Sequence, residues 1–157
     1  MKNIFVTFST IIMLCISLNL KAQSYKYAVG GRLGASNGVT FKMFLDKQNA
    51  VDFILNFQSK KDYSYFRATG LYEIHQPINN GYGINWYYGG GASIGGRNYK
   101  PLDNGELLLS GDGVVGLDYK FDEAPINVSL DWKPAFEIVP DTHLDLSGVG
   151  LSVRFTF

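Results

Sequence analysis

The strongest constraint on the fold is the strict alternation of side chains in residues 149–157. Every second residue of this segment is large and apolar, and the residues between them are glycine, serine, arginine and threonine. Successive side chains of a β-strand point to opposite faces, so the alternation predicts a strand with one apolar and one polar face. The segment ends on an aromatic residue, Phe157, where a soluble domain usually carries a polar tail.

The beginning of the chain has the pattern of a secretory signal peptide. Lys2 supplies a positive charge, residues 4–20 are largely apolar but interrupted by polar positions, and Ala22 offers a small residue for cleavage. We therefore expect residues 1–22 to be a cleaved signal peptide and residues 23–157 to form one domain. The single cysteine, Cys15, would leave with the signal, which excludes disulfides and thiolate sites from the mature chain.

Composition narrows the class of protein further. Two of the 14 basic residues precede residue 23 and all 14 acidic residues follow it, so the mature chain would carry a net charge of −2. This balance differs from the basic surface of nucleic-acid-binding proteins, and we expect no nucleic-acid partner. After residue 22 we find neither helical periodicity nor an apolar run of spanning length. If the chain enters a bilayer, it must do so as a closed barrel, because only closure satisfies every strand hydrogen bond without water.

Clusters of Gly, Asn, Asp and Pro divide the mature chain into eight strand-like segments. An even number of strands places both termini on one side of the membrane, which we expect to be the periplasmic side. Residues 95–106 are then the longest connection and are expected to form an external loop. The eight predicted strands are residues 27–35, 39–45, 50–58, 63–75, 82–94, 107–121, 126–137 and 144–157.

One face of these strands is almost entirely apolar. When the residues of each strand are assigned alternately to two faces, the large aliphatic and aromatic residues fall on one face, called the apolar parity below. They are Val29, Leu33, Val39, Phe41, Met43, Val51, Phe53, Leu55, Phe57, Phe66, Tyr72, Ile74, Trp86, Tyr88, Ile94, Leu109, Val115, Leu117, Tyr119, Ile126, Val128, Leu130, Trp132, Val149, Leu151, Val153 and Phe155.

The opposite face carries five basic and five acidic residues. An eight-stranded barrel encloses only enough space for side chains to fill, so the large apolar set cannot fit inside and the charges can. We therefore predict a lipid-facing apolar surface around an ion-paired lumen, because buried charges are tolerated when they are paired. The alternative is a soluble periplasmic, lipocalin-like ligand-binding barrel with the apolar face inward. The predicted lumen network comprises Arg32, Lys42, Asp52, Arg67, Glu73, Asp112, Asp118, Asp131, Lys133 and Arg154.

Five segments resemble the small outer-membrane β-barrel proteins, the group that includes the OmpA transmembrane domain and the opacity proteins. They are residues 68–75 (ATGLYEIH), 89–91 (GGG), 113–119 (GVVGLDY), 130–134 (LDWKP) and 152–157 (SVRFTF).

The resemblance implies an all-β, eight-stranded antiparallel transmembrane up-and-down β-barrel in the outer membrane. It implies Val153, Phe155 and Phe157 as the assembly signal that the barrel-insertion machinery reads. Expected partners are outer-membrane lipids and lipopolysaccharide, and the expected state is a monomer. Members of the group range from structural proteins to adhesins and enzymes, so the fold does not fix the function. We expect a structural, envelope-integrity or surface-contact role.

Patterns that could carry chemistry are weak. The glycine run 89–91 lacks the following helix and Lys-Ser/Thr of a phosphate-binding loop. His75 is expected at the periplasmic interface and His143 in the last external loop, too far apart to share a metal. Ser64 with His143 and a nearby carboxylate, Asp62, Asp141 or Asp145, would suit a lipid A-modifying enzyme, but no nucleophile elbow is present. We expect no catalytic, cofactor-binding or metal-binding residues.

Basic residues in the expected outer loops offer a further candidate site. Lys60, Lys61, Arg97 and Lys100 could bind the phosphates of lipopolysaccharide, or they could simply be solvated loop tips. The sequence alone does not separate these two interpretations.

The terminal strand generates a direct test. Deletion of Phe157 should strongly reduce accumulation of the folded protein in the outer membrane, because the assembly signal would lose its last aromatic residue. Immunoblotting of separated membranes measures this, with an exposed-turn substitution such as Lys47→Gln as the control. Normal accumulation of the truncated chain would contradict the predicted signal.

Overall fold

The computed structural model describes residues 25–35, 37–59, 63–78, 83–99 and 104–157. The predicted signal peptide lies outside these residues. No helix in the described part of the chain is long and apolar enough to cross a membrane. The strands are β1 (Tyr27–Gly34), β2 (Gly38–Phe44), β3 (Asn49–Ser59), β4 (Tyr63–Pro77), β5 (Ile84–Tyr99), β6 (Asn104–Lys120), β7 (Ile126–Trp132), β8 (Ala135–Val139), β9 (His143–Asp145) and β10 (Val149–Thr156).

Each strand pairs antiparallel with its neighbours until the sheet closes on itself. β5 pairs with β6, and β10 closes the barrel by pairing with β1 from Ala28↔Thr156 to Gly34↔Gly150. β7 and β8 form one composite strand interrupted at Pro134, and β9 and β10 form another interrupted at residues 146–148. The predicted closed, eight-stranded, up-and-down antiparallel barrel is therefore confirmed.

The barrel has two distinguishable ends. At the terminal end, Tyr27 and Phe157 exchange two backbone hydrogen bonds of 2.9 Å, and the turns after β2, β4 and β6 lie beside them. In the first of these turns, Asp46 accepts bonds from Asn49 Nδ2 and from the amides of Gln48 and Asn49. These bonds lower the pKa of Asp46 because they favour its ionised form. The other end, which carries the turns after β1, β3, β5 and β8, is called the distal end below.

The prediction of a long loop at residues 95–106 is wrong for most of these residues, which belong to strands β5 and β6. β5 and β6 continue pairing through Gly95↔Leu108 and Arg97↔Glu106 as far as Tyr99↔Asn104. A Cβ at position 95 would lie 2.2 Å from the Phe66 carbonyl oxygen, so this glycine permits close strand approach and does not mark a turn. The predicted strands 126–137 and 144–157 also differ, because each is interrupted. Pro134 has no amide hydrogen to donate to the ladder.

The two faces of the barrel differ sharply in polarity. All 27 residues of the apolar parity are exposed or half-buried on the outside of the barrel. The ten charged residues of the opposite parity lie inside it, and none is more than 8% exposed. The lipocalin-like alternative, with apolar side chains inward, is therefore wrong about which face points inward. Among the described residues, Ile54, Leu71, Tyr87 and Val114 form the small apolar cluster of the interior.

Candidate functional site in the barrel interior

Arg154 joins several strands near the terminal end of the lumen. Its guanidinium lies 2.7 Å from a carboxylate oxygen of Asp52 and donates to Ser129 Oγ at 2.7 Å. Its Nε donates to Thr40 Oγ1 at 3.1 Å, and Thr40 in turn donates to Asp52 at 2.5 Å. The planar guanidinium suits this arrangement because its donors point in several fixed directions. One side chain therefore connects β10 with β2, β3 and β7.

Lys42 and His75 hold the neighbouring carboxylates. Lys42 Nζ lies 2.6 Å from Glu73 Oε2 and 3.7 Å from Asp52. The His75 ring is buried between Glu73, 3.0 Å from Nε2, and Asp118, 3.3 Å from Nδ1. Carboxylates only accept, so both contacts are hydrogen bonds when both ring nitrogens carry protons. The expected interfacial position of His75 is wrong, because its parity on β4 points it into the lumen with Glu73.

Aromatic rings close the terminal end of the lumen above these charges. Tyr25 packs edge-on against Phe44 with centroids 5.0 Å apart, and Phe44 lies 4.9 Å from the His75 ring. His75 stacks on Tyr87 at 4.8 Å, and Lys42 Nζ lies 4.4 Å from the centre of the same ring. A cation over an aromatic face is attracted by the ring quadrupole. The stacked rings therefore occupy part of the lumen near the terminal end.

Arg32 and Asp131 form the central pair. The two guanidinium nitrogens lie 2.7 and 2.5 Å from the two carboxylate oxygens, a bidentate arrangement, and Tyr87 Oη donates to the same carboxylate at 2.9 Å. Glycine at position 150 makes room for this pair, since a Cβ there would lie 2.3 Å from Arg32 Cζ. Gly116 does the same for Tyr87, whose Cζ would lie 2.7 Å from an added Cβ.

The distal half of the lumen contains a looser group of charges. Arg67 pairs with Glu137, and Lys133 Nζ lies 3.5 Å from Asp112 Oδ1. The Asp112 carboxylate also accepts hydrogen bonds from Ser93 and Ser110. Beyond these residues, a polar cavity of about 330 Å³ opens at the distal end, with Arg67, Lys133 and Glu137 in its wall.

Among the described residues, two buried His, Asp or Glu side chains of the interior are absent from the predicted set. Glu137 and His75 are each no more than 5% exposed. Parity would have found both, because Glu137 continues the inward positions of Asp131 and Lys133, and His75 continues those of Arg67 and Glu73. With Glu137, the buried residues of the described structure include six carboxylates and five Lys or Arg side chains, and a protonated His75 would balance the sixth carboxylate.

The residues considered for catalysis are not assembled. His143 is exposed at the distal end, where its ring lies 3.5 Å from Glu137 and 3.2 Å from the Asp141 carbonyl oxygen. Ser64 pairs with Ser59 in the β3–β4 ladder, and within the described residues it makes no contact with His143. Asp62 lies outside the described residues. In the same described ranges no three His, Cys, Asp or Glu residues are grouped so that they could hold a metal ion.

The remaining candidates lie on the surface or outside the described residues. Val153, Phe155 and Phe157 are all exposed on the outer face of the terminal strand and its end. Lys60, Lys61 and Lys100 lie outside the described residues, whereas Arg97 lies in β5 and lines the distal cavity.

The central ion pair generates a test of how the lumen is stabilised. Arg32→Met should lower the free energy of unfolding by about 3–5 kcal/mol, because the Asp131 charge would stay buried without its partner. Arg32→Met combined with Asp131→Asn should recover much of this loss, since both charges are then removed. Urea titration in detergent micelles, followed by tryptophan fluorescence, measures both variants. A double variant as unstable as the single one would contradict the pairing argument.

Comparison with known proteins finds similarity at the level of the fold. No protein-family model matches the sequence, and no curated protein matches it. The solved N-terminal β-barrel domain of Pseudomonas aeruginosa OprF is similar with a TM-score of 0.66 and 15% identity, covering 86% of this chain and all of that one. Neisserial surface protein A, NspA, is similar with a TM-score of 0.53 and 9% identity, covering 83% of this chain and 93% of that one. The chain therefore has the eight-stranded barrel fold that these two proteins share.

Proposed function

We propose that residues 23–157 form a monomeric outer-membrane β-barrel with a structural or surface-contact role and no catalysis or cofactor, exported by the signal peptide of residues 1–22. In this proposal its partners are outer-membrane lipids and lipopolysaccharide, and the barrel-insertion machinery reads Val153, Phe155 and Phe157. The predicted lumen residues act as an internal scaffold.

The polarity of the two faces is the observation that carries this proposal. A belt of exposed Leu, Val, Ile and aromatic side chains surrounds the barrel, while the ten predicted lumen charges are enclosed. Soluble monomers rarely expose continuous apolar surface on this scale, because its contact with water is unfavourable. Acyl chains remove that cost, and the closed ladder leaves no strand edge unsatisfied in them.

Aromatic residues near the ends of the barrel support the same placement. Near the terminal end, Tyr27 lies 6.1 Å from Phe41 and 5.8 Å from Phe157, measured between ring centroids. Near the distal end, the Phe57 and Phe66 rings lie 5.5 Å apart. Aromatic girdles at both interfaces are typical of transmembrane barrels.

The filled lumen favours a structural role over transport. The bidentate Arg32–Asp131 pair and the aromatic stack occupy the bore, and an eight-stranded barrel has space for side chains but not for an aqueous channel. Charged residues at membrane depth are also functional candidates in general. Here their mutual contacts favour a scaffold that holds the strands in register.

A charge on the outer belt tests the membrane placement. Leu130 is exposed between its cross-strand neighbours Leu117 and Leu151. Leu130→Arg should destabilise the folded barrel in lipid vesicles by about 2–4 kcal/mol, because arginine is costly near the bilayer midplane. Urea titration read by heat-modifiable gel migration measures this, with the exposed-turn variant Gln48→Arg as the matched control.

Equal stability of these two variants, or folding of the wild-type mature chain in water without detergent, would overturn the membrane placement. Fractionation of the native protein is the independent check, and recovery in the soluble periplasmic fraction would contradict the proposal.

The absence of catalysis is tested on the lipid that an enzyme of this class would modify. Mass spectrometry of lipid A should give identical profiles for the wild-type strain, a deletion strain and a His143→Ala strain. We expect no change because the partners of His143 in the described structure are Glu137 and the Asp141 carbonyl oxygen, and Ser64 is not among them. A lipid A species that disappears in both mutant strains would show an enzyme instead.

A further inference from the structure

The strands beside the distal cavity end at different heights. The β1–β2 hairpin is short, and its last pair with β3 is Gly38↔Asn56. The Phe57 amide still donates to the Asn37 carbonyl oxygen at 3.0 Å, and β3 then continues to Ser59 in its ladder with β4. On the other side of the hairpin, β9 pairs with β8 alone among the described strands. The barrel wall is therefore lower over β1 and β2 than on either side.

Residues from both edges of this gap line the cavity. Asn56 and Gln58 belong to the β3 edge, Asp145 and Ser147 lie at or near the β9 edge, and Ala35 lies at the hairpin tip between them. Outside the barrel, Phe57 of β3 and Leu144 of β9 are exposed beside the gap. In the proposed membrane placement, the gap thus opens at the boundary between acyl chains and headgroups.

Two cations in the cavity wall have spare hydrogen-bonding capacity. Arg67 is 6% exposed and pairs with Glu137 through one terminal nitrogen, while its buried Nε has no acceptor among the described residues. Lys133 offers three N–H donors, and its ion pair in the described structure is the 3.5 Å contact with Asp112. The Lys133 ammonium and the terminal N–H groups of Arg67 can therefore donate to an acceptor placed in the cavity.

The chemistry of these donors selects the class of ligand. A guanidinium and an ammonium beside each other suit an oxyanion, because phosphate and carboxylate present several acceptor oxygens to such groups. Arg32, Arg67, Arg97 and Lys133 line the cavity against the carboxylates of Glu137 and Asp145. The neutral side chains of Asn56, Gln58, Tyr65 and Ser147 complete a polar wall that suits a charged group.

We propose that the distal cavity binds a phosphate group through Arg67 and Lys133, and that the gap above the β1–β2 hairpin admits this group from the side. The phosphate can belong to a lipid headgroup of the outer leaflet or to a small soluble molecule. Binding of a lipid phosphate rests on the proposed function, because it requires the barrel to lie in the outer membrane. Binding of free phosphate requires only that the barrel is folded.

The binding test uses the folded full mature chain in detergent micelles. Isothermal titration calorimetry with inorganic phosphate, and separately with phosphorylated and dephosphorylated lipopolysaccharide, identifies the source. Binding of inorganic phosphate supports a soluble ligand, and binding of phosphorylated lipopolysaccharide alone supports a headgroup. The proposal is overturned if neither inorganic phosphate nor phosphorylated lipopolysaccharide binds. It is also overturned if inorganic phosphate does not bind and dephosphorylated lipopolysaccharide binds as tightly as the phosphorylated form.

Two variants should shift affinity in opposite directions. Lys133→Gln should weaken phosphate binding about tenfold, because one charge-assisted hydrogen bond is lost. Glu137→Gln should strengthen it, because a competing carboxylate charge is removed from beside Arg67. Lys47→Gln makes the same charge change as Lys133→Gln at the opposite end of the barrel and should leave affinity unchanged. Equal affinity in all three variants and the wild type would overturn the assignment of the site.

The side entrance has its own test at the hairpin tip. Ala35→Trp should obstruct the gap and weaken binding of phosphorylated lipopolysaccharide, with little effect on inorganic phosphate, which can enter from the open end. Unchanged lipopolysaccharide binding would overturn the side entrance. Heat-modifiable gel migration confirms that each variant is folded, so loss of the barrel is distinguished from loss of the site.

Discussion

The structure depends on the mutual compensation of charges inside a closed barrel. A carboxylate or guanidinium in this interior is cut off from water, and leaving one unpaired costs several kcal/mol. The chain meets this constraint by placing partners on distant strands, as in Arg154 with Asp52 and Arg32 with Asp131. These pairs span 102 and 99 residues of sequence, so they form only when the whole barrel has closed in the correct register.

The same constraint explains the outer surface. Strands alternate strictly, so every charge enclosed in the lumen places a neighbouring residue on the outside. Once the lumen is polar, the outer positions must match the surrounding medium, and the large side chains there are mostly Val, Leu, Ile and aromatics. A one-residue register slip would bring charges into contact with the apolar surroundings and apolar groups into the lumen. The ion pairs and the apolar belt therefore select a single register together.

The sequence was sufficient to predict those features that follow from the alternation of side chains along a β-strand. The alternation in residues 149–157, extended to the other strands, correctly predicted a closed barrel. It also predicted that the side chains of Arg154 and Asp131 point into the lumen. It failed at local features that no period describes: the continuation of β5 through Gly95 and the interruption at Pro134. It also could not show which inward charges pair, because contacts across the lumen depend on strand tilt and stagger as well as on parity. The same alternation also places Glu137 and His75 on the inward face. Both lie near the ends of the predicted strands, where strand boundaries are hardest to predict.

The two ends of the lumen differ in their balance of charge. Near the terminal end, Arg154 and Lys42 are held at 2.7 and 2.6 Å by carboxylates beneath an aromatic stack. At the distal end, Arg32, Arg67, Arg97 and Lys133 line an open cavity together with only two carboxylates of the described residues, those of Glu137 and Asp145. An oxyanion bound beside these side chains would compensate the excess of positive charge. The proposed phosphate site therefore lies at the distal cavity, and the closely paired scaffold lies at the terminal end.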